Sequence, residues 1–222
     1  MLLPWQRGQN DKYYKQAKRM GYRSRSALKL KEIMERMGVR TGSRVLDLGC
    51  APGGWSQVLM DAVGENGKVI GLDLVDPRLS GDNFQFVKGD MRQLQDIGKF
   101  SSIFCDASPK MTGVSSTDMA RAEELWEAAL SWCRSSLESG GTLVIKLFQS
   151  KEMEGFLPLL RSSFVKVTLI KPRSSRKESR EIYAVASGYS LRCPLGKRVF
   201  EKDLGILVAR VESDPLTVEV SA

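Results

Sequence analysis

Residues 45–59, "VLDLGCAPGGWSQVL", constrain this chain more than any other stretch. Val45, Leu46 and Leu48 make the short apolar run of a buried parallel strand. Gly49 breaks the run, Gly53 and Gly54 let the backbone come close to something, and a helical pattern follows. A dinucleotide fingerprint would read G-x-G-x-x-G, its second glycine giving a pyrophosphate room. Here the three positions are Gly49, Ala51 and Gly54, with Pro52 after the alanine, which weakens a pyrophosphate reading. A P-loop needs Gly-Lys followed by Ser or Thr. The Gly-Lys pairs ending at Lys68, Lys99 and Lys197 are followed by Val, Phe and Arg, so a nucleoside triphosphate is the wrong ligand. What remains is a compact adenosine-type molecule, with an acidic side chain about 20 residues on for its ribose hydroxyls. Asp73, which closes "VIGLD", stands 19 residues after Gly54.

From residue 43 onward, β-type runs alternate with helical patterns. Strands are predicted at 43–48, 68–73, 84–88, 101–105, 142–148, 164–170 and 182–187, with helices at about 54–63, 91–97, 117–138 and 152–162. That alternation predicts an α/β fold, a mainly parallel sheet covered on both faces. Ligands of such sheets bind at the carboxyl ends of the strands. The rule selects Gly49 to Gly54, Asp73, Asp90 and Asp106 together, because each ends a strand. Ahead of the sheet, residues 24–37 read as an amphipathic helix opened by a serine cap and stopped by Gly38. Behind it, residues 191–222 hold two alternating runs, "ILVARV" and "LTVEV", which predict an appended β-hairpin. The chain thus divides into a basic segment at 1–40, a main domain at 41–190 and the extension.

The net charge of +8 has a location. Residues 1–40 hold 11 Lys and Arg against three acidic residues, while the other 182 residues hold 23 of each sign. An excess confined to one arm is expected of a nucleic-acid-facing segment. Stretch 166–180 is a second basic island, six cations against Glu178. The chain has no histidine, which removes Ser-His-Asp triads, Cys-His pairs and His-ligated zinc, and leaves Lys, Asp, Glu, Tyr or Cys as the base. Without a carboxylate cluster no metal site is expected. Cys50, Cys105, Cys133 and Cys193 form no C-x-x-C pair, no apolar run reaches the roughly 18 residues of a membrane span, and the N-terminus lacks a secretory pattern. A cytoplasmic protein with reduced thiols and no membrane is the expectation.

Several ordered motifs carry a resemblance: "DKYYKQAKRMGYRSRSALKLKEI", "VLDLGCAPGGWSQ", "KGDMR", "CDASPKMTG", "VIKLFQ" and "KPRSSRKESREIYAVA". Between about residues 10 and 190 the chain resembles the FtsJ/RrmJ family of S-adenosylmethionine-dependent RNA ribose 2′-O-methyltransferases. The resemblance implies a Rossmann-like class I methyltransferase fold, seven strands mainly parallel with the last antiparallel and helices on both faces. It implies S-adenosyl-L-methionine as cofactor and a catalytic set falling on Lys29, Asp106, Lys146 and Glu181. For the cofactor it implies Gly53 and Trp55 in the loop, Asp73 at the ribose, Asp90 near the adenine and Asp106 near the methionine part. RNA is the implied partner, first of all a uridine of large-subunit rRNA, free or within the ribosomal subunit, with a monomeric enzyme. Cys50 and Cys105 depart from the family's other small residues, and the segment beyond Ser190 has no counterpart in its bacterial members.

Methyl transfer to a ribose hydroxyl is an in-line displacement at an activated carbon, so the protein's work is positioning and removal of a weakly acidic proton. Burial and a nearby like charge favour the neutral form of a lysine, the natural base where histidine is absent. Lys146 lies inside "LVIKLF", where an unpaired cation is costly. Lys29 supplies the like charge or orients the hydroxyl, and Asp106 and Glu181 end and begin strands beside Lys146. The competing readings are structural: a snorkelling lysine on an edge strand, an exposed helix lysine, carboxylates in plain salt bridges. A nucleophilic cysteine, tRNA anticodon-loop ribose as the target, a non-catalytic RNA-binding assembly factor and a small-molecule dehydrogenase are the functional alternatives. Ala51 and the basic arm disfavour the last.

Overall fold

The computed structural model describes residues 12–190, apart from Lys110, Met111, Gly113 and Lys177. The predicted hairpin at 191–222 lies outside the described residues, as do residues 1–11 of the basic arm. Two helices, α1 (Lys12–Arg19) and α2 (Ser26–Met37), precede the sheet. Then follow β1 (Arg44–Leu48), α3 (Gly54–Val63), β2 (Lys68–Asp73), β3 (Phe84–Lys88), β4 (Phe100–Cys105), α4 (Ser115–Ser136), β5 (Leu137–Phe148), α5 (Lys151–Ser163), β6 (Phe164–Ile170) and β7 (Glu181–Tyr189). The seven strands lie in the order β3-β2-β1-β4-β5-β7-β6. The β1, β2, β3, β4 and β5 pairings are parallel, and β7 runs antiparallel to both β5 and β6. This is the doubly covered, mainly parallel sheet the alternation predicts.

Each face of the sheet has its own core. Leu46, Leu48, Ile103, Leu143, Ile145 and Leu147 belong to one cluster with Trp126, Trp132 and Phe156 of α4 and α5. Their alternating neighbours Val45, Phe104, Val144 and Tyr183 belong to the other, with Ala27, Leu30 and Ile33 of α2 and Trp55 and Leu59 of α3. The period-two alternation of strand side chains therefore divides the molecule. Helix α2, grouped with the arm in the sequence, is in fact a core element: Ala27, Leu30 and Ile33 have no exposed surface.

Three local expectations are corrected. Residues 91–97 form no helix. The Met91 carbonyl, which a helix would need, instead accepts the Trp132 indole N–H at 2.7 Å, and the Asp90 carboxylate takes the Arg92 amide at 3.0 Å in a tight turn. The helix at 24–37 starts only at Ser26, and no serine caps it; the Ser24 hydroxyl is engaged with Ser26 Oγ at 2.7 Å instead. Strand β5 begins at Leu137, directly at the end of α4, five residues before its predicted start at 142, with a register shift between Phe100 and Ser102 on its partner β4.

The order of strands reverses between β1 and β4, the place where such sheets open a crevice. Register aligns the strand ends there. Leu48 pairs with Leu72 and with Cys105, and Cys105 with Ile145. One step further, Asp73, Gly49, Asp106 and Lys146 fall in a single row, and Lys146 pairs with Tyr183.

Beneath that row Asp47 is fully buried, its Oδ2 accepting the Ser56 hydroxyl at 2.6 Å and its Oδ1 without a partner among the described residues. Burial raises its pKa to about 7; the Ser56 bond pulls it down and the nearby charges of Asp106 and Asp73 push it up again. The folded chain thus keeps a proton that the unfolded chain releases, and stability falls as pH rises between about 4 and about 7. Asp47→Asn should remove that dependence. Urea unfolding should show the variant gaining on wild type between those two pH values, by on the order of 1–4 kcal/mol. Parallel pH profiles for the two proteins would reject a protonated Asp47.

Candidate active site

The crevice is a cleft of about 710 Å³, lined among others by Gly49, Ala51, Asp73, Asp90, Asp106 and Arg121. Its volume suits one small molecule. The four sites that the strand-end rule selects from sequence are therefore brought together. Gly49 sits at φ +75°, and a Cβ there would stand 2.7 Å from the Ala107 Cβ, so the bend presses directly against the end of β4. Asp73 is held by the loops around it, accepting the Ala51 amide on Oδ2 and the Val75 amide on Oδ1, both at 2.9 Å. Each oxygen keeps a second lone pair for a hydroxyl. Asp90 accepts two contacts from Arg92 Nε and one from Arg92 Nη2 at 2.6 Å, and these bonds hold its carboxyl below its ordinary range.

At the far end of the row lie the two lysines. Lys146 Nζ donates to the Asp106 carbonyl at 2.5 Å and lies 3.2 Å from Asp106 Oδ1. Lys29, on α2, pairs with Glu181 at the start of β7 at 2.5 Å. Both lysine side chains are only 6% exposed, so neither the edge-strand nor the exposed-helix reading holds. Burial pushes the Glu181 carboxyl up, but the charge and hydrogen bond of Lys29, with Lys146 and Ser179 adding to them, outweigh it and leave the group below its ordinary range.

Tyr183 joins this cluster, a residue the sequence reading did not single out. It is buried, its hydroxyl donates to Asp106 Oδ1 at 3.0 Å, and its ring lies 5.8 Å from Lys29 Nζ. Burial, with the charges of Asp106 and Glu181 adding to it, raises its pKa well above the ordinary value. A signal was there: in "EIYAVA" the tyrosine follows Glu181 by two residues and so shares its face of the strand.

Gly53 and Trp55 lie outside the lining of the cleft. Trp55 is a core side chain, packed on Tyr183 with centroids 5.6 Å apart and donating its indole N–H to the Ser26 carbonyl at 3.0 Å. Gly53, at φ +103°, faces Arg23 and Pro77. Cys50 and Cys105 are buried, and burial raises both thiol pKa values far out of the reactive range. Among the described residues, no group of three or more His, Cys, Asp or Glu is placed to hold a metal, and no helix is long and apolar enough to cross a membrane.

Residues 22–189 match the model of the FtsJ-like methyltransferase family. A relative from Methanococcus maripaludis, ribosomal RNA large subunit methyltransferase E, is 38% identical over 96% of this chain and 84% of its own length. One of the same name from Nitrosomonas eutropha is 39% identical over 78% of this chain and 89% of its own. The first match leaves out only about nine residues, so it reaches into 191–222 and gives that segment a counterpart. A solved ribosomal RNA methyltransferase from Plasmodium falciparum superposes with TM-score 0.66 at 26% identity, over 76% of this chain and 98% of that one. Aeropyrum pernix fibrillarin with bound S-adenosyl-L-methionine shares the fold, with TM-score 0.53 at 17% identity over 74% of this chain and 75% of that one.

Tyr183→Phe should lower the free energy of unfolding by about 1–2 kcal/mol, the worth of a buried hydrogen bond to a carboxylate. Denaturant titration measures it, and an unchanged midpoint would mean that the phenol contributes packing alone.

Proposed function

The chain belongs to the FtsJ-like methyltransferase family, and from that premise we propose that it moves a methyl group from S-adenosyl-L-methionine to a ribose 2′-hydroxyl of RNA. The observation that carries the reading is the buried cluster in which Lys146 is fixed on Asp106 beside the Lys29–Glu181 pair. The names of the two curated relatives support large-subunit rRNA as the substrate; within it the proposed target is a uridine, and the proposed setting is a monomer in the cytoplasm. Mapping ribose methylation in total RNA from cells with and without the gene tests the substrate. Loss of an rRNA mark supports the reading, whereas loss confined to tRNA anticodon loops moves the same chemistry to tRNA.

The cleft suits this cofactor. Four carboxylates, Asp73, Asp90, Asp106 and Glu124, line it with two arginines, Arg92 and Arg121, and the close-packed Gly49 bend. The carboxylates accept from hydroxyls, and because they outnumber the arginines the lining favours a cationic ligand over a phosphate. When bound, S-adenosyl-L-methionine supplies a methyl group on an already activated sulfonium. Asp73 takes the ribose hydroxyls, Asp90 lies near the adenine and Asp106 near the methionine part, while Gly53 and Trp55 act through the loop they shape. In its neutral amine form Lys146, anchored by the carbonyl and carboxylate of Asp106, takes the proton of the RNA hydroxyl and becomes the ammonium that Asp106 then holds. Lys29, held by Glu181, orients that hydroxyl. Lys146→Ala should abolish methyl transfer with cofactor affinity nearly intact. Lys146→Arg should also fail, because a guanidinium does not give up its proton in this range. Near-normal turnover in the arginine variant, read with radiolabelled cofactor, would leave Lys146 an electrostatic role only.

RNA phosphates meet the basic arm. On α1 the side chains of Lys12, Lys15, Lys18 and Arg19 are exposed, and Ala17 is the buried residue of that helix. Replacing the four with glutamine should flatten the plot of log affinity against log salt by roughly 0.7 for every one that touches a phosphate. Affinity should fall alike for all RNA sequences and cofactor binding should hold. Parallel salt plots would make the arm a merely solvated surface.

A further inference from the structure

The segment between α1 and α2, with "GYRSR" at 21–25, is fastened to the cofactor side of the molecule at several points. The Arg23 amide donates to Gln57 Oε1 at 2.8 Å, and Gln57 Nε2 returns a bond to the Gly21 carbonyl at 3.1 Å. The same segment packs against both glycines of "APGG", of which Gly53 is also required by its φ of +103°. A Cβ on Gly53 would stand 3.1 Å from Arg23 Cδ, and one on Gly54 would overlap Ser24 Oγ. The pair is therefore a seat for Arg23 and Ser24.

From that seat the Arg23 guanidinium reaches across to the loop behind β2. Nη1 donates to the Pro77 carbonyl at 2.7 Å and Nη2 to the Arg78 carbonyl at 2.6 Å. Arg78 is the non-glycine residue with positive φ among the described residues, at +50°, a conformation that a long side chain adopts only when its surroundings impose it. Asp76 Oδ1 holds its amide at 2.6 Å and Arg23 holds its carbonyl. This loop starts at Asp73, and its Leu74 lines the cleft.

We infer that Arg23 is a positioning residue for the cofactor cleft: its two-pronged grip sets the loop that follows Asp73. The segment that carries the RNA-facing helix into α2 thereby also fixes one wall of the cofactor site. The inference rests on the reading of the cleft as a cofactor site, and it assigns Arg23 to the protein's own carbonyls and not to RNA phosphate.

The test compares wild type, Arg23→Ala and Arg23→Lys for S-adenosyl-L-methionine affinity by calorimetry, for KM and kcat, and for RNA affinity over a salt series. Arg23→Ala should raise the cofactor Kd and KM roughly five- to tenfold, with kcat at saturating cofactor changed by less than about twofold and the RNA salt slope unaltered. Arg23→Lys keeps the charge but loses the fork, so its cofactor KM should lie between the other two. Unaltered cofactor affinity in the alanine variant overturns the inference. So does a lysine variant equal to wild type beside an alanine variant whose salt slope falls by about 0.7, the mark of a phosphate contact. A wild-type protein that binds no S-adenosyl-L-methionine sinks the reading of the cleft, and this inference with it; a wild type that binds and an alanine variant that binds as well sink the inference alone.

Discussion

Two lysine amino groups are buried under one face of this sheet, and the site is organised around that fact. A cation removed from water is tolerated only when paired and hydrogen-bonded. Lys146 obtains this from both the backbone and the carboxylate of Asp106, and Lys29 from Glu181. These partners come from four separate elements: α2, the end of β4, β5 and β7. The Lys29–Glu181 pairing ties the covering helix α2 to β7, and the Lys146–Asp106 pairing joins β5 to the end of β4. The face that carries them is otherwise closed by Trp55, Phe104 and Val144.

Sheet register brings residues of the cleft and Lys146 to one level. Parallel pairing of β2, β1, β4 and β5 lines up Asp73, Gly49, Asp106 and Lys146, and the antiparallel β7 adds Tyr183. A shift by one residue in any of these strands would turn the row's side chains to the opposite face. Apolar alternation on both faces guards against that slip: Val144 and Ile145, for example, belong to different cores.

Most of this was legible before any coordinates. All seven strands were predicted, because a buried strand is a dense apolar run bounded by Gly, Asp or Pro. The strand-end rule also found Asp73, Asp90 and Asp106. The motif resemblance proposed Lys29 and Glu181, which local pattern alone would have left as an exposed helix lysine and a surface carboxylate. What failed was local shape decided by distant partners. Residues 91–97 look helical until Trp132 takes the Met91 carbonyl. Gly53 reads as a glycine facing a ligand until Arg23 is seen beside it. Tyr183 was overlooked because its hydroxyl bonds to Asp106, at the end of a strand two places away in the sheet.

The position of β7 affects how the molecule is made. Although last in the order of chain elements described, it lies inside the sheet, between β5 and β6. During synthesis β6 therefore emerges with no strand to pair with, and β5 presents an open edge until residues 181–189 arrive. Pairing β7 with β5 closes a loop of more than thirty residues, a slow, non-local step. Glu181 and Tyr183 ride on that strand, so the Lys29–Glu181 pair and the Tyr183–Asp106 bond form in the same event that seals the sheet. A nascent chain holding α2, Lys29 and Lys146 but not β7 would carry a Lys29 without its Glu181 partner, so the buried charges are balanced only once the whole sheet is in place.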